Sequence, residues 1–234
     1  MKSSIQNKDK LVNSVFSKVH KKYDLMNDIL SLGIHRVWKN KFIDWLNPQF
    51  NESLIDVASG TGDIANLFAK RVNYSSEISC IEPNLEMYKS GKENLKLINN
   101  IKWFKASAEK LPFKDNTFDF YTISFGIRNV SDIDLTLKEA FRVLRPGGRF
   151  MCLEFSKVNN EIVDFFYEKY SKIIPLIGKY VVGSTSSYEY LVKSISEFYS
   201  QEELVTLMKK HKFSNIEYRN LSSGISAIHS GWKI

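Results

Sequence analysis

Short apolar runs alternate along this chain with stretches in which apolar residues recur every three or four positions. The runs at residues 54–58, 78–81, 101–105, 118–125 and 149–155 read as strands. Between them, 64–72, 84–95 and 132–144 carry helical spacing, the last stopped by Pro146-Gly147-Gly148. Strands separated by helices in this order predict a parallel sheet with right-handed crossovers. The chain then closes on an amphipathic helix at 201–211 and two strands, 213–221 and 224–232. Ahead of the sheet, Val12, Val15, Phe16 and Val19, and again Ile34, Val37, Trp38 and Phe42, repeat at helical spacing until Asn47-Pro48 closes the section. Residues 159–200 break the alternation with a concentration of aromatics and the segment Ile173-Ile174-Pro175-Leu176-Ile177, too long for a plain crossover.

The most informative turn lies between the first strand and its helix, Ala58-Ser59-Gly60-Thr61-Gly62-Asp63. Two glycines one residue apart let the backbone turn sharply and leave room for a ligand. Glu82 ends the next strand, twenty residues past Gly62, where a carboxylate commonly takes a ribose hydroxyl pair. Gly60-x-Gly62-x-x-Ala65 also fits a dinucleotide fingerprint. Two acids argue against it: Asp63 at the helix start repels a pyrophosphate, and Asp56 in the strand adds a second negative charge. A nucleoside carrying cationic sulfonium and ammonium groups and no phosphate, S-adenosylmethionine, suits them. Ligands in such sheets bind beyond the carboxyl ends of the strands, where the glycines, Glu82, Ser107 and Ser124 fall.

Composition narrows the class. With 234 residues and 43% hydrophobic content the chain can bury one full core, read as a single domain. A net charge of +7 is dispersed rather than striped, so it suits loose contact with an anionic membrane surface better than a dedicated nucleic-acid groove. Cys80 and Cys152 fall in strand-like runs and read as buried apolar residues, not a disulfide framework. The four histidines lack metal-ligand spacing, and no metal is expected. A polar N-terminus and no apolar stretch near ~18 residues make the expected location cytoplasmic, with peripheral contact at the inner membrane face.

Further segments narrow the family. Sheet, glycine turn, Glu82 and Pro146-Gly147-Gly148 together resemble a class I S-adenosylmethionine-dependent methyltransferase. Lys22-Tyr23-Asp24-Leu25-Met26-Asn27-Asp28 and Gly33-Ile34-His35-Arg36-Val37-Trp38-Lys39 resemble the N-terminal signature of the ubiquinone/menaquinone biosynthesis C-methyltransferases. Ser124-Phe125-Gly126-Ile127-Arg128-Asn129-Val130 and Leu153-Glu154-Phe155-Ser156 look like that family's central signatures, and the tail from Asn220 through Lys233 is similar as well. The resemblance spans residues 15–234. It implies a Rossmann-like α/β sheet, mostly parallel with an antiparallel C-terminal strand, helices on both faces, extra N-terminal helices and a helical insertion near 159–200. The parts would be a helical cover (1–50), a cofactor half (51–158), an acceptor-side insertion (159–200) and a closing helix with strands (201–234).

By that resemblance Thr61, Glu82, Ser107, Ala108 and Ser124 match cofactor-contacting positions, joining Asp56, Gly60 and Gly62. Ser59 stands where glycine is common, and Glu82 where aspartate is usual. The family methylates a ring carbon of a prenylated quinol, either demethylmenaquinol or 2-polyprenyl-6-methoxy-1,4-benzoquinol. Such a carbon becomes nucleophilic when a neighbouring hydroxyl ionises, which at pH 7 costs roughly 4 kcal/mol for a pKa of about 10. A charge-assisted hydrogen bond from an arginine contributes roughly 1.5–3 kcal/mol of that. Arg128 is the candidate for stabilising the phenolate, with Asn129 orienting it; the competing reading of Arg128 is an ion pair near the strand end. Tyr23 is a further catalytic candidate, and Asp24, His35 and Ile174 are acceptor-side candidates. Rival expectations are an RNA or small-molecule methyltransferase and a non-catalytic cofactor-binding subunit of a quinone-synthesis assembly. Neither an Asn/Asp-Pro-Pro-Tyr/Phe element nor an appended nucleic-acid domain supports the RNA reading. Other quinone-biosynthesis enzymes are expected as partners.

Overall fold

The computed structural model describes residues 33–158 and 185–234, together with Val12, Val15, Ser17, Asp28 and Ser31. Helix α1 (His35–Leu46) leads into strand β1 (Leu54–Val57), α2 (Asp63–Arg71), β2 (Ile78–Ile81), α3 (Leu85–Asn94) and β3 (Ile101–Phe104). Then follow β4 (Phe118–Ser124), a 3₁₀ turn (Ile127–Asn129), α4 (Ile133–Val143), β5 (Leu144–Phe155), α5 (Thr185–Ser196), α6 (Gln201–Lys210), β6 (Ser214–Leu221) and β7 (Ser226–Trp232).

The strands form one seven-stranded sheet in the order β3-β2-β1-β4-β5-β7-β6. Strands β1 to β5 are parallel, whereas β7 runs antiparallel to both β5 and β6. This is the expected mostly parallel α/β sheet. The chain leaves β1 toward β2 and β3, then returns to the other side for β4 and β5. That reversal opens a crevice at the carboxyl ends of β1 and β4, where open sheets of this kind bind ligands.

Strands β1 and β2 are buried throughout, and for that reason they read as unbroken apolar runs rather than alternating ones. Successive side chains still point to opposite faces. Leu54 packs with Phe42, Ile43 and Phe68 of α1 and α2, while Ile55 and Val57 pack with Leu137, Leu204 and Met208 of α4 and α6. Helices therefore cover both faces. Cys80 and Cys152 are buried free thiols within this core.

One expected boundary moves. Strand β5 begins at Leu144 rather than Arg149, because Leu144 already pairs with Phe118. Pro146-Gly147-Gly148 does not stop the helix, which has ended at Val143; it bends an extended segment. Gly147 takes φ +80° there, and its N–H donates to the Lys233 carbonyl at 2.7 Å.

Helix α1 is fastened to the sheet at both ends. Trp38 Nε1 donates to Ser222 Oγ at 3.1 Å. Arg149 Nη1 donates to the Trp45 carbonyl at 2.7 Å, and its guanidinium lies 5.1 Å and 5.0 Å from the Trp45 and Trp232 ring centroids. A cation at the last carbonyls of a helix also matches the sign of its dipole. The consequence for the site is that the inner face of α1 has a defined place above the glycine turn.

Candidate active site

Strand β1 ends at Val57, and the next five residues hold three positive φ angles: Ala58 at +53°, Gly60 at +57° and Gly62 at +91°. Glycine meets this demand without penalty, whereas Ala58 holds it at a cost of about 1–2 kcal/mol. Phe125, at the end of β4, is a second such residue at +54°. Strained non-glycine positions at two adjacent strand ends are a common mark of a ligand site. Ser59, standing where glycine was expected, ties the turn to β2: its Oγ donates to the Asp56 carbonyl at 2.6 Å and accepts from Ile81 N–H at 3.1 Å.

Glu82 grips the turn from β2. Its Oε2 accepts from Gly60 N–H and its Oε1 from Asn84 N–H, each at 2.9 Å. Each carboxylate oxygen keeps a second lone pair, so both can still take ribose hydroxyls. Burial pushes this carboxyl up to about 7, offset in part by those two backbone donors. Asn84 caps α3, accepting from Glu86 and Met87 N–H at 3.1 Å each.

These groups border a cleft of about 460 Å³ whose lining includes Gly60, Glu82, Met87, Ser107, Ala108 and Asn129. A much smaller cavity, about 20 Å³, adjoins it and is lined by Lys39, Asp56, Ser59, Thr61, Asp63 and Ser124 among others. Ala58 and Phe125 line both. Seven of the eight expected cofactor positions thus line these two cavities, beyond the carboxyl ends of β1, β2, β3 and β4, whereas Gly62 acts from behind. A Cβ there would lie 2.6 Å from Leu95 Cδ1, so Gly62 is needed for packing and for φ +91° rather than for clearing the cleft. A larger cavity among the described residues, about 900 Å³ and bounded by Glu52, Asp119, Arg145 and Arg219, lies at the opposite end of the strands, away from this turn.

The two acids behave differently from lone charges. Asp56 Oδ1 accepts from Thr122 Oγ1 at 2.8 Å, and burial pushes its carboxyl up to about 7. Its Oδ2 is buried without a partner among the described residues, as is Ser124 Oγ. Asp63 is met by Lys39, whose Nζ lies 2.5 Å from Oδ2. The expected repulsion of a pyrophosphate is therefore weakened, because one acid is neutralised by a cation and the other is held near its titration point. The groups left to meet a nucleoside with an amino-acid tail are instead the Glu82 carboxylate and the two unpartnered buried oxygens.

Arg128 is not in the cleft wall. Its side chain is 3% exposed and pairs with Glu154, 2% exposed, through Nη1 and Oε1 at 2.5 Å. Nη1 also donates to the Phe125 carbonyl at 2.9 Å, and Nε has no partner among the described residues. This arrangement is the ion pair named above as the competing reading. Its neighbour Asn129 does face the cleft, with Oδ1 accepting from Tyr190 Oη at 2.9 Å. His35 is buried away from both cavities, Nε2 against Asp28 Oδ1 at 2.9 Å, and desolvation holds its imidazole below its usual range. Tyr23, Asp24 and Ile174 lie outside the described residues, as do residues 159–184 of the insertion expected over 159–200.

Sequence reasoning missed three contributors. Lys39 and Glu154 stood in recognised segments but carried no pattern that assigned them a partner. Gly91 gave no signal, since a glycine inside a helix reads only as a weak point. Its missing Cβ is what lets Trp103 and the Gly60 carbonyl approach α3. No group of three or more metal-ligating side chains is found among the described residues.

A family model described as the ubiE/COQ5 methyltransferase family matches residues 4–233. A protein of Rickettsia bellii (strain OSU 85-389) named ubiquinone/menaquinone biosynthesis C-methyltransferase UbiE is 52% identical, over 97% of this chain and 94% of its own. One of the same name from Brucella abortus (strain S19) is 47% identical, over 97% and 87%. Among solved structures, a possible histamine N-methyltransferase of Thermotoga maritima superposes with TM-score 0.68 at 21% identity, covering 95% of this chain and 100% of that one. Phosphoethanolamine N-methyltransferase 2 of Haemonchus contortus, solved with S-adenosyl-L-methionine, does so with TM-score 0.61 at 12% identity, covering 84% and 52%. At such identities the two structures bear on the fold alone.

Proposed function

The chain belongs to the ubiE/COQ5 methyltransferase family, and from that membership we propose that it methylates a ring carbon of a prenylated quinol, demethylmenaquinol or 2-polyprenyl-6-methoxy-1,4-benzoquinol, in menaquinone or ubiquinone biosynthesis. The observation that carries the reading is the Glu82 carboxylate, closed onto Gly60 beside a cleft that adjoins a buried polar cavity. S-adenosylmethionine is the cofactor, and when bound it supplies an electrophilic methyl group on a sulfonium. Glu82 would hold the ribose hydroxyls, Ser107 and Ala108 would border the adenine, and Gly60, Thr61, Asp56 and Ser124 would enclose the remainder.

The protein's own work on the acceptor is to lower the cost of ionising a ring hydroxyl. Arg128 contributes from behind the wall, where its Nη1 donates to the carbonyl of Phe125, a residue that lines the cleft. Glu154 works against it, so the effect at the acceptor is a residual one. Asn129 borders the cleft with Oδ1 accepting from Tyr190 and Nδ2 donating to the Phe125 carbonyl at 3.4 Å, which leaves one amide proton to orient the hydroxyl.

The acceptor's tail asks for an apolar route. Each methylene of the tail buried along such a route adds about 0.8 kcal/mol before ordering costs. No described helix is long and apolar enough to cross a membrane. Access is then peripheral, the net charge of +7 holding the protein loosely to anionic lipid in a salt-sensitive way. The deciding experiment incubates the protein with methyl-labelled S-adenosylmethionine and extracted quinols. Label in a methylated quinone supports the reading; label recovered only in RNA or in a water-soluble acceptor overturns it.

A further inference from the structure

The cavity of about 900 Å³ shares no lining residue with the two cavities at the glycine turn. The last turns of α1, the amino ends of β4 and β5 and the edge strand β6 border it. Its charged residues do not balance. Asp119 is met by Arg145, and Asp44 by Arg71 from outside the lining. Glu52 accepts the Gln49 N–H at 2.7 Å. Lys41, Arg149 and Arg219 remain, and none of them has a carboxylate partner among the described residues. Three cations are thus left against one acid.

Lys41 and Arg219 are exposed and water can solvate them. Arg149 is only 8% exposed, and a buried guanidinium with no carboxylate is costly. Burial lowers its pKa; Glu217 opposes that shift, and the like charge of Arg219 adds to it. Arg149 Nε donates to Ser230 Oγ at 2.7 Å and Nη1 to the Trp45 carbonyl, whereas Nη2 donates to no described residue. Nη2 is not sealed from solvent either, so it opens on the cavity that Arg149 lines. The Arg219 guanidinium lies 4.0 Å from the centroid of Trp45, the same indole that Arg149 approaches. Contact with a ring uses the faces of a guanidinium and leaves its N–H edge for an oxyanion. Two guanidiniums gathered at one indole repel each other, and an anion held between them relieves that repulsion.

The charge left over selects the anion. A carboxylate brings one negative charge and two oxygens. A phosphate monoester brings nearly two charges and three acceptor oxygens, enough for two guanidiniums and an ammonium. We propose that the cleft between the end of α1 and the β6 edge is a binding site for a phosphate monoester, its oxygens taken by Arg149 Nη2, Arg219 and Lys41. The site is independent of the cofactor assignment. The same chemistry arrives on a soluble phosphate ester or on a phospholipid headgroup, and the test separates the two sources.

The full chain is titrated at fixed ionic strength, so that general screening stays constant. The probes are glycerol 3-phosphate and acetate, read by calorimetry, and phosphatidylcholine vesicles with and without phosphatidic acid, read by sedimentation. Arg219→Gln combined with Lys41→Gln removes two exposed cations and leaves the Arg149 anchor of α1 in place. Lys92→Gln combined with Lys138→Gln removes the same charge from exposed positions on α3 and α4. Wild type is expected to bind glycerol 3-phosphate at least about ten-fold more tightly than acetate, an arm that depends on no variant folding. The Arg219/Lys41 variant should lose at least about ten-fold in affinity for glycerol 3-phosphate, and the Lys92/Lys138 variant should stay within about two-fold of wild type. That pattern assigns a soluble ester. The same split between the two variants, seen only with phosphatidic acid vesicles, assigns a lipid headgroup. Equal losses in both variants would mean that dispersed charge holds the anion, and would overturn the site. Acetate bound as tightly as glycerol 3-phosphate, an Arg219/Lys41 variant with unchanged affinity, or a wild type that binds neither the ester nor the acidic vesicles would overturn it as well.

Discussion

Arg128 and Glu154 face each other at 2.5 Å with their side chains 3% and 2% exposed, a charge pair enclosed behind the wall of the cofactor cleft. The pair joins the turn after β4 to the end of β5, and the Arg128 guanidinium also lies 5.5 Å from the Phe155 ring centroid. Removing one partner from such a pair strands a charge and costs about 3–5 kcal/mol, whereas removing both costs far less. Two roles for Arg128 can therefore be separated by stability and turnover measured together.

Arg128→Met should lower the melting temperature sharply, by an amount corresponding to about 3–5 kcal/mol, and Arg128→Met combined with Glu154→Gln should recover most of it. If Arg128 assists ionisation of the acceptor, the double variant regains stability and not turnover. Turnover that returns in step with stability would reduce Arg128 to a structural partner.

Tyr190→Phe removes the donor to Asn129 Oδ1 while keeping the ring. We expect quinol turnover to fall about ten-fold or more, the affinity for S-adenosylhomocysteine to change less than about two-fold, and stability to drop by about 1 kcal/mol. Affinity and turnover declining together would place Tyr190 in the support of the cofactor cleft instead.

Gly91→Ala should destabilise the protein even though alanine improves an exposed helix by about 1 kcal/mol. The added Cβ would lie 2.1 Å from Trp103 Cη2 and 2.7 Å from the Gly60 carbonyl, so the indole and the glycine turn must both give way. Melting temperature and S-adenosylhomocysteine affinity should fall together. A more stable variant with unchanged affinity would show that the turn is not set by its contact with α3.

Asp56 predicts a pH effect with a definite sign. Burial raises its carboxyl to about 7, so the folded state resists its ionisation. An acid with a raised folded value contributes its stability below the unfolded pKa, near 4, and loses it as pH climbs through about 7. Asp56→Asn removes that dependence. Denaturant unfolding of both proteins from pH 4 to pH 8 should show the wild type losing stability relative to the variant, on the order of 3–4 kcal/mol at most. A difference that stays flat over this range would mean Asp56 is ionised throughout.

The elements of this protein are legible in its sequence because they depend on neighbours in the chain. Apolar runs and helical spacings mark β1 to β4 and α2 to α4 within a residue or two, and the order of strands and helices implies the parallel sheet. Gly60 and Gly62 announce a sharp turn, and both take the positive φ that glycine permits. Pro146-Gly147-Gly148 misled for the same local reason: it reads as a helix stop, yet Leu144 is already held extended by Phe118 from another strand. What only the tertiary structure decided is the state of each charge. Asp63 reads as a bare carboxylate until Lys39 reaches it from 24 residues away, and Arg128 reads as a free cation until Glu154 meets it from 26 residues away. Asn129 finds Tyr190 at a separation of 61 residues, and Asp56 finds Thr122 at 66. Local patterns choose which backbone forms, since propensity and periodicity act over a few residues. The protonation and availability of a side chain depend on burial and on partners, and those exist only once the sheet has brought distant strand ends together.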